Sequence, residues 1–176
     1  MEKYTRVLVF ILIVCGFLSV SCSRAQDEES MTRSKTNKEV TKVFPPAPDF
    51  DLDDIYQDAY RLSSYKNKQP VLLFFWTTWC PFCRSELKVL NDMYATLQKD
   101  GIEVLAINVG EVQSKVEDFV KNYYLAYKVL LDRDTRVSQS YEVAGVPTYA
   151  LIDKEGYVVF HENFFPRKEY KDLIEK

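Results

Sequence analysis

Short apolar runs alternate with helical patterns through the second half of the chain. The continuous apolar run at 71–76 predicts a buried strand, because a strand covered on both faces needs no polar positions, and the mainly apolar residues 102–109 predict the next strand. Apolar residues that recur every three or four positions predict amphipathic helices at 84–98 and 112–124. This alternation of strands and helices is typical of an α/β protein.

The C-terminal part predicts a further set of short elements. We expect an edge strand at 129–131 and then a helix capped by Asp134, because aspartate is favoured at the position before a helix. An antiparallel hairpin at 146–152 and 157–161 follows, and a final helix includes Tyr170. Together these elements predict an α/β fold with a central mixed β-sheet flanked by helices on both faces.

Residues 1–21 have the pattern of a signal peptide. Basic residues precede an apolar run at 7–20, which is shorter than the roughly 20 residues that a membrane-spanning helix needs. The segment that ends at Cys22 resembles a bacterial lipoprotein signal, in which this cysteine is acylated. Leu18 lies four places before Cys22 instead of the usual three, so an ordinary export signal or an uncleaved anchor stays open. We expect an exported lipoprotein, anchored in a membrane and facing the periplasm or the cell exterior.

The signal is followed by a polar segment and then by a single predicted domain. Residues 22–43 lack the large apolar side chains that folding requires, so we interpret them as a flexible tether. The domain is predicted at 44–176, a common domain size. With the signal removed and Cys22 lipidated, Cys80 and Cys83 are the remaining thiols.

Composition and charge exclude several classes of function. The chain is 47% hydrophobic and 28% charged, so it is too apolar for a fully disordered protein. Its net charge is −3 and no strongly basic stretch occurs, which excludes a nucleic-acid partner. His161 is the single histidine, which argues against metalloenzymes and Cys-His hydrolases, and we assign it no role and predict no metal site.

The two remaining thiols lie where a predicted strand passes into a helix. Cys80 is placed at the helix start, where unpaired N–H groups and the helix dipole lower a thiol pKa, and Pro81 fits the first turn. We therefore predict Cys80 as a nucleophile and Cys83, one turn further on, as the thiol that resolves a mixed disulfide. Half of a zinc site would need two further ligands, and a structural disulfide across so short a loop would stabilise little.

The sequence FFWTTWCPFC, followed by RSEL, AINV, LLD and GVPTYALID, resembles the thioredoxin superfamily. The APDF start, the added helix and the tether are similar to the TlpA/ResA-type members of the AhpC/TSA-redoxin class, which are membrane-tethered thiol-disulfide oxidoreductases. The resemblance covers residues 45–176 and implies a thioredoxin-like fold and reduction of protein disulfides, with cytochrome c maturation as one setting. It also implies protein thiols and an upstream membrane thiol reductant as partners, a monomer, and no cofactor beyond a Cys80–Cys83 disulfide.

The resemblance also assigns residues that contact the substrate. Trp79 would shield the site. From its position between the cysteines, Phe82 should influence the reduction potential and the fit of a partner, and Pro81 beside it is expected to contact the substrate as well. Pro147 matches the family's cis-proline, which would present the backbone of Val146 to an extended peptide. An ordinary proline at the start of a strand is the alternative interpretation.

Glu86 matches an acidic residue that these exported members place six positions after the first cysteine. From the helical pattern it lies beside the apolar stripe and should be partly buried. Burial would let it exchange protons as Cys83 changes state, whereas a solvated glutamate at the helix edge is the alternative. The buried acid of thioredoxin, six residues before the first cysteine, is replaced by Phe74.

Two other functions remain open from the sequence. A peroxiredoxin-like peroxide reductase is possible because Thr77 precedes Cys80 by three residues, although Leu73 replaces the proline of such sites. A copper-delivery module of the same fold is the non-enzymatic alternative, although such modules use a wider cysteine spacing and a distal histidine.

Overall fold

The computed structural model describes residues 44–175, and the predicted signal peptide, tether and Cys22 lie outside the described residues. The strands of this part are β1 (Asp51–Asp53), β2 (Ala59–Arg61), β3 (Val71–Trp76), β4 (Glu103–Val109), β5 (Lys128–Asp132), β6 (Thr148–Ile152) and β7 (Val158–Glu162). The helices are α1 (Pro81–Lys99), α2 (Gln113–Tyr123), α3 (Arg136–Ser140) and α4 (Arg167–Ile174), and a 3-10 helix spans Leu62–Tyr65. The predicted elements are therefore present, with ends that differ by a few residues.

Five of the strands form one mixed sheet in the order β5-β4-β3-β6-β7. Strands β3, β4 and β5 run parallel, whereas β6 is antiparallel to both β3 and β7. All six residues of β3 are buried, as expected for a central strand covered on both faces. The predicted mixed α/β sheet is confirmed.

The two faces of the sheet are covered differently. Helices α1, α2 and α4 pack on the face formed by alternate β3 residues Leu72, Phe74 and Trp76. The opposite face is covered by α3, the 3-10 helix and the segment before β1, which supplies Phe50. Helices therefore lie on both faces, and the cysteine-bearing helix α1 is on the more heavily covered one.

Both edges of the sheet are partly paired by other segments. The backbone N–H of Ile55 donates to the carbonyl of Val129 in β5, over 3.2 Å. At the other edge, the N–H of Val158 in β7 donates to the carbonyl of Pro45, over 2.9 Å. The proline-rich start of the domain thus protects a sheet edge that would otherwise offer free pairing groups.

Two local features differ from the sequence prediction. The small antiparallel pair β1–β2 was not expected, since each strand has only three residues and shows no long alternation. The predicted cap Asp134 accepts the N–H of Arg136 over 3.3 Å, but Thr135 occupies the N-cap position with a left-handed φ of 61°, and Asp134 does not reach the N–H groups further into α3. Instead, the buried carboxylate of Asp132 accepts the N–H groups of Val137 (3.1 Å) and Ser138 (2.8 Å).

Candidate active site

Cys80 lies at the N-cap of α1, at the end of the loop that leaves β3. The Sγ of Cys80 accepts a hydrogen bond from the backbone N–H of Cys83 over 3.3 Å. The Cys80 thiol in turn donates to the carbonyl of Val146 over 3.5 Å. Pro81 fits the next position because its missing N–H would have no helical partner there. One N–H group of the first helical turn is therefore directed at the Cys80 sulfur, an arrangement that stabilises negative charge.

Cys83 is fully buried, whereas 4% of Cys80 remains exposed, and both are free thiols. Burial of the Cys83 thiol raises its pKa from 9.0 to about 12, and the hydrogen bond with Cys80 adds to this effect. The backbone of Thr77 acts in the opposite direction and lowers the pKa of Cys83. The site therefore combines two buried thiols, of which Cys80 keeps a small exposed area and Cys83 is enclosed and held neutral.

A loop from the start of β6 faces the cysteines. The Val146–Pro147 peptide bond is cis, the conformation that the family resemblance implied. The hydroxyl of Thr148 donates to the carbonyl of Gly145 over 2.6 Å. The side-chain amide of Asn163 donates to the carbonyl of Pro147 over 2.7 Å and to the Thr148 hydroxyl oxygen over 2.9 Å. The carbonyls on both sides of Val146 are therefore bonded within the chain, and Asn163 was not identified from the sequence.

The surface around Cys80 is apolar and open. Trp79 is 63% exposed and Phe82 is 76% exposed, and Pro81 between them is exposed as well. Single exposed apolar side chains are ordinary, but a contiguous apolar patch of this kind often marks a contact surface for another molecule. Three of the five residues predicted to contact a substrate therefore form an exposed rim beside the nucleophile.

Glu86 is half-buried on α1, as its place beside the apolar stripe predicted. Its Oε2 accepts a hydrogen bond of 2.8 Å from the hydroxyl of Tyr149, a fully buried residue of β6. Burial raises the pKa of Tyr149, and the Glu86 carboxylate raises it further, so the phenol remains a donor. Tyr149 also packs on Phe74 with ring centroids 4.6 Å apart, where thioredoxin would carry its buried acid.

Glu111 was missed by the sequence analysis. It follows the carboxyl end of β4, as Cys80 follows the carboxyl end of the neighbouring strand β3. Its Oε2 accepts the backbone N–H of Thr78 (2.6 Å) and its Oε1 accepts the Thr78 hydroxyl (2.7 Å). Asn108 and Lys115 donate to the same carboxylate, over 2.9 Å and 2.6 Å. Burial would raise the pKa of Glu111, but these donors outweigh it and lower the pKa.

Other candidate features carry no comparable geometry. Within residues 44–175, no three His, Cys, Asp or Glu side chains are grouped so that they could hold a metal ion. His161 is exposed on β7. The hydroxyl of Thr77, the residue that suggested a peroxidase, is buried without a hydrogen-bond partner in the described chain. No helix in this part of the chain is long and apolar enough to cross a membrane.

Comparison with known proteins identifies relatives in sequence and in fold. The model of the AhpC/TSA family matches residues 43–161. Thiol-disulfide oxidoreductase ResA of Geobacillus kaustophilus is 42% identical over 123 residues, which is 70% of each chain. The ResA of Bacillus subtilis is 40% identical over 122 residues, covering 69% of this chain and 68% of that protein.

Solved structures agree with these sequence relatives. The crystal structure of a DsbE thiol:disulfide interchange protein from Chlorobium tepidum superposes with a TM-score of 0.66 at 28% identity. The match covers 75% of this chain and 94% of that one, so the shared fold extends over nearly the whole described domain. The chain therefore belongs to the AhpC/TSA family and is a ResA-like thiol-disulfide oxidoreductase of the thioredoxin superfamily.

Proposed function

We propose that the protein reduces disulfides in other proteins by dithiol-disulfide exchange, with Cys80 as the nucleophile and Cys83 as the resolving thiol. The observation that carries this assignment is the pair of unequal sulfurs: Cys80 at the helix N-cap, 4% exposed beside the exposed rings of Trp79 and Phe82, and Cys83 fully buried one turn further on. The Cys80 thiolate attacks one sulfur of the partner's disulfide, so that a mixed disulfide forms and a partner thiolate leaves. Cys83 then attacks the Cys80 sulfur, which releases the second partner thiol and leaves a Cys80–Cys83 disulfide.

The resolving step requires that Cys83 lose a proton that its surroundings retain. Its pKa is raised to about 12, so a base close to the site would accelerate the attack. Glu86 is the proposed proton acceptor, since it is half-buried on the same helix one turn after Cys83. Its hydrogen bond from Tyr149 fixes one carboxylate oxygen and leaves the other for proton exchange.

The partner is proposed to bind as an extended peptide across the cis-proline loop. Val146 would pair with it, because the carbonyls of Gly145 and Pro147 stay bonded within the chain, whereas the bond from the Cys80 thiol to the Val146 carbonyl ends when Cys80 loses its proton. The exposed rings of Trp79 and Phe82 would contact apolar side chains next to the partner's disulfide. No cofactor beyond the two cysteines is needed for this chemistry.

We propose that this exchange takes place outside the cytosol, on a monomer anchored through a lipid on Cys22. The support for this setting is the export pattern of residues 1–21 and the polar segment at 22–43. An upstream membrane thiol reductant would regenerate the dithiol, and cytochrome c maturation is the proposed pathway. In cells fed labelled palmitate, the wild type should incorporate the label and Cys22→Ala should not, and a wild type that stays unlabelled would contradict lipid anchoring.

A covalent trap tests the exchange itself. In the full-length chain, Cys83→Ala should accumulate mixed disulfides with partner proteins, since Cys80 can attack but nothing resolves the product. The Cys80→Ala variant is the matched control and should form none. If Cys83→Ala forms no mixed disulfide in cells, the proposal is wrong. Rapid peroxide consumption dependent on Cys80 would favour the peroxide reductase instead, and stoichiometric copper binding would favour the delivery module.

A further inference from the structure

The loop that carries the nucleophile is fixed at Thr78, two residues before Cys80. All three polar groups of Thr78 are bonded: its N–H and hydroxyl donate to Glu111, and its carbonyl accepts from the Nε of Arg84 over 3.0 Å. Glu111 approaches from the start of the α2 segment and Arg84 from α1. We propose that Glu111 is a positioning residue for thiol exchange, which acts through Thr78 on the placement of Trp79 and Cys80.

Glu111 is suited to this role by its burial and by the way its oxygens are shared. Its side chain is 6% exposed, and each carboxylate oxygen accepts one bond from Thr78 and one from another residue. Two short bonds to the backbone and side chain of one residue restrict its rotation as well as its position. Lys115 and Asn108 hold the carboxylate itself, so that the contact is rigid from both sides.

The placement of Cys80 depends on this contact because its sulfur has two simultaneous partners. Sγ lies 3.3 Å from the N–H nitrogen of Cys83 and 3.5 Å from the carbonyl oxygen of Val146. A loop that moves away from α2 would change both distances. Displacements of about 1 Å at a reacting group are known to cost about a hundredfold in rate. Loss of the Glu111 contact should therefore slow thiol exchange by more than the accompanying loss of folding stability would explain.

The chain provides a matched control at the other end of the same strand. Glu103 begins β4, is 14% exposed, and also accepts from a lysine and an amide: Lys128 over 2.6 Å and Gln69 over 3.1 Å. Glu103 thus shares with Glu111 a lysine and an amide donor, but it lacks the two bonds from Thr78 in the loop before Cys80. Comparison of the two glutamates separates positioning from the general cost of losing a buried ion pair.

The experiment compares Glu111→Ala with Glu103→Ala in the purified full-length chain. We measure the rate of reduction of a protein disulfide, the equilibrium with a glutathione redox buffer, and the unfolding midpoint. Both variants should lower the unfolding midpoint. Only Glu111→Ala should slow reduction by tenfold or more, and it should lower the equilibrium constant for oxidation by glutathione at least threefold. Glu111→Gln, which keeps an acceptor for the Thr78 N–H, should recover part of both losses.

Equal effects of the two alanine variants, or a rate within twofold of the wild type in Glu111→Ala, would overturn the proposal. Should Glu111→Ala not fold, Thr78→Val removes the hydroxyl bond alone and should show a smaller loss of rate, while an unchanged rate contradicts the role. The inference rests on the proposed exchange function. The glutathione equilibrium reports the relative placement of Cys80 and Cys83 without any protein partner, so a failure of the proposed function remains distinguishable from a failure of the positioning role.

Discussion

The burial of Cys83 predicts that the reduced protein loses stability in alkaline solution. The pKa of this thiol is raised from 9.0 to about 12, so the folded state retains the proton more strongly than the unfolded chain does. Stability from this source is complete below pH 9.0 and is lost as pH rises toward about 12. At about 1.36 kcal/mol per pKa unit, the full loss approaches about 4 kcal/mol, and about 2 kcal/mol is lost by a pH of about 10.5.

Urea unfolding under a thiol-free reductant measures this loss directly. The free energy of unfolding is determined for the wild type and for Cys83→Ala at a pH of about 8 and again at about 10.5. Burial also raises the pKa values of Tyr127, Tyr141 and Tyr149, but their titration is common to both proteins and cancels in the comparison. The wild type should lose about 2 kcal/mol more than the variant over this interval.

The oxidised protein provides a second comparison, because a Cys83 sulfur in a disulfide has no proton to lose. Between the two pH values, the oxidised wild type should therefore lose no more free energy of unfolding than Cys83→Ala does. If the reduced wild type and the variant lose the same free energy, to within about 0.5 kcal/mol, Cys83 is not held neutral by its surroundings. The assigned difference between the two sulfurs would then be wrong, together with the need for a base in the resolving step.

Three further substitutions have defined outcomes. Leu90→Ala removes a fully buried side chain of α1 and should lower the free energy of unfolding by about 2–5 kcal/mol in urea titrations, while Lys88→Ala on the exposed side of α1 should change it little. Tyr149→Phe removes the donor to Glu86 and should cost about 1.5–3 kcal/mol; it should also prolong the mixed disulfide in quenched-flow measurements, and an unchanged lifetime would argue against Glu86 as the proton acceptor. Asn163→Ala removes both bonds to the cis-proline loop and should raise the KM for a protein disulfide more than it lowers kcat, a result that an equal change in both would contradict.

The secondary structure and the position of the nucleophile were predictable because their signals are local. Continuous apolar residues identified β3, and the three- and four-residue recurrence identified α1. The order of the two elements alone placed Cys80 at a helix start and Cys83 one turn inside it. Partial burial of Glu86 followed from its angle on the same helix. Each of these predictions uses residues that are close in sequence, so the hydrophobic pattern of one strand or one helix is enough to make it.

The contacts that hold the site together are not local, and this is why they escaped the sequence analysis. Thr78 and Glu111 are 33 positions apart, and Pro147 and Asn163 are 16 positions apart. Glu111 and Asn163 lie in loops, where no period marks which way a side chain points. Even so, β3 and β4 are parallel neighbours, so the residues that follow β3 and those that follow β4 lie together at the carboxyl ends of the two strands. An acidic residue just after β4 is therefore a candidate neighbour of a cysteine just after β3, once the strand order is known.

The strand order itself depends on which apolar run pairs with which, and that choice is made by packing across the whole sheet. The cysteine motif can be identified without knowing the strand order. The reactivity of the motif cannot be predicted without it. The Cys80 thiol contacts the carbonyl of Val146, in the loop before β6. Glu111, in the loop after β4, bonds the loop that carries Cys80. Asn163, after β7, bonds the carbonyl of Pro147, which follows Val146. A local motif thus specifies which atoms exchange electrons, whereas segments far apart in sequence determine how those atoms are placed. Substitutions in these distant loops should consequently alter redox behaviour even though they leave the two cysteines and their helix unchanged.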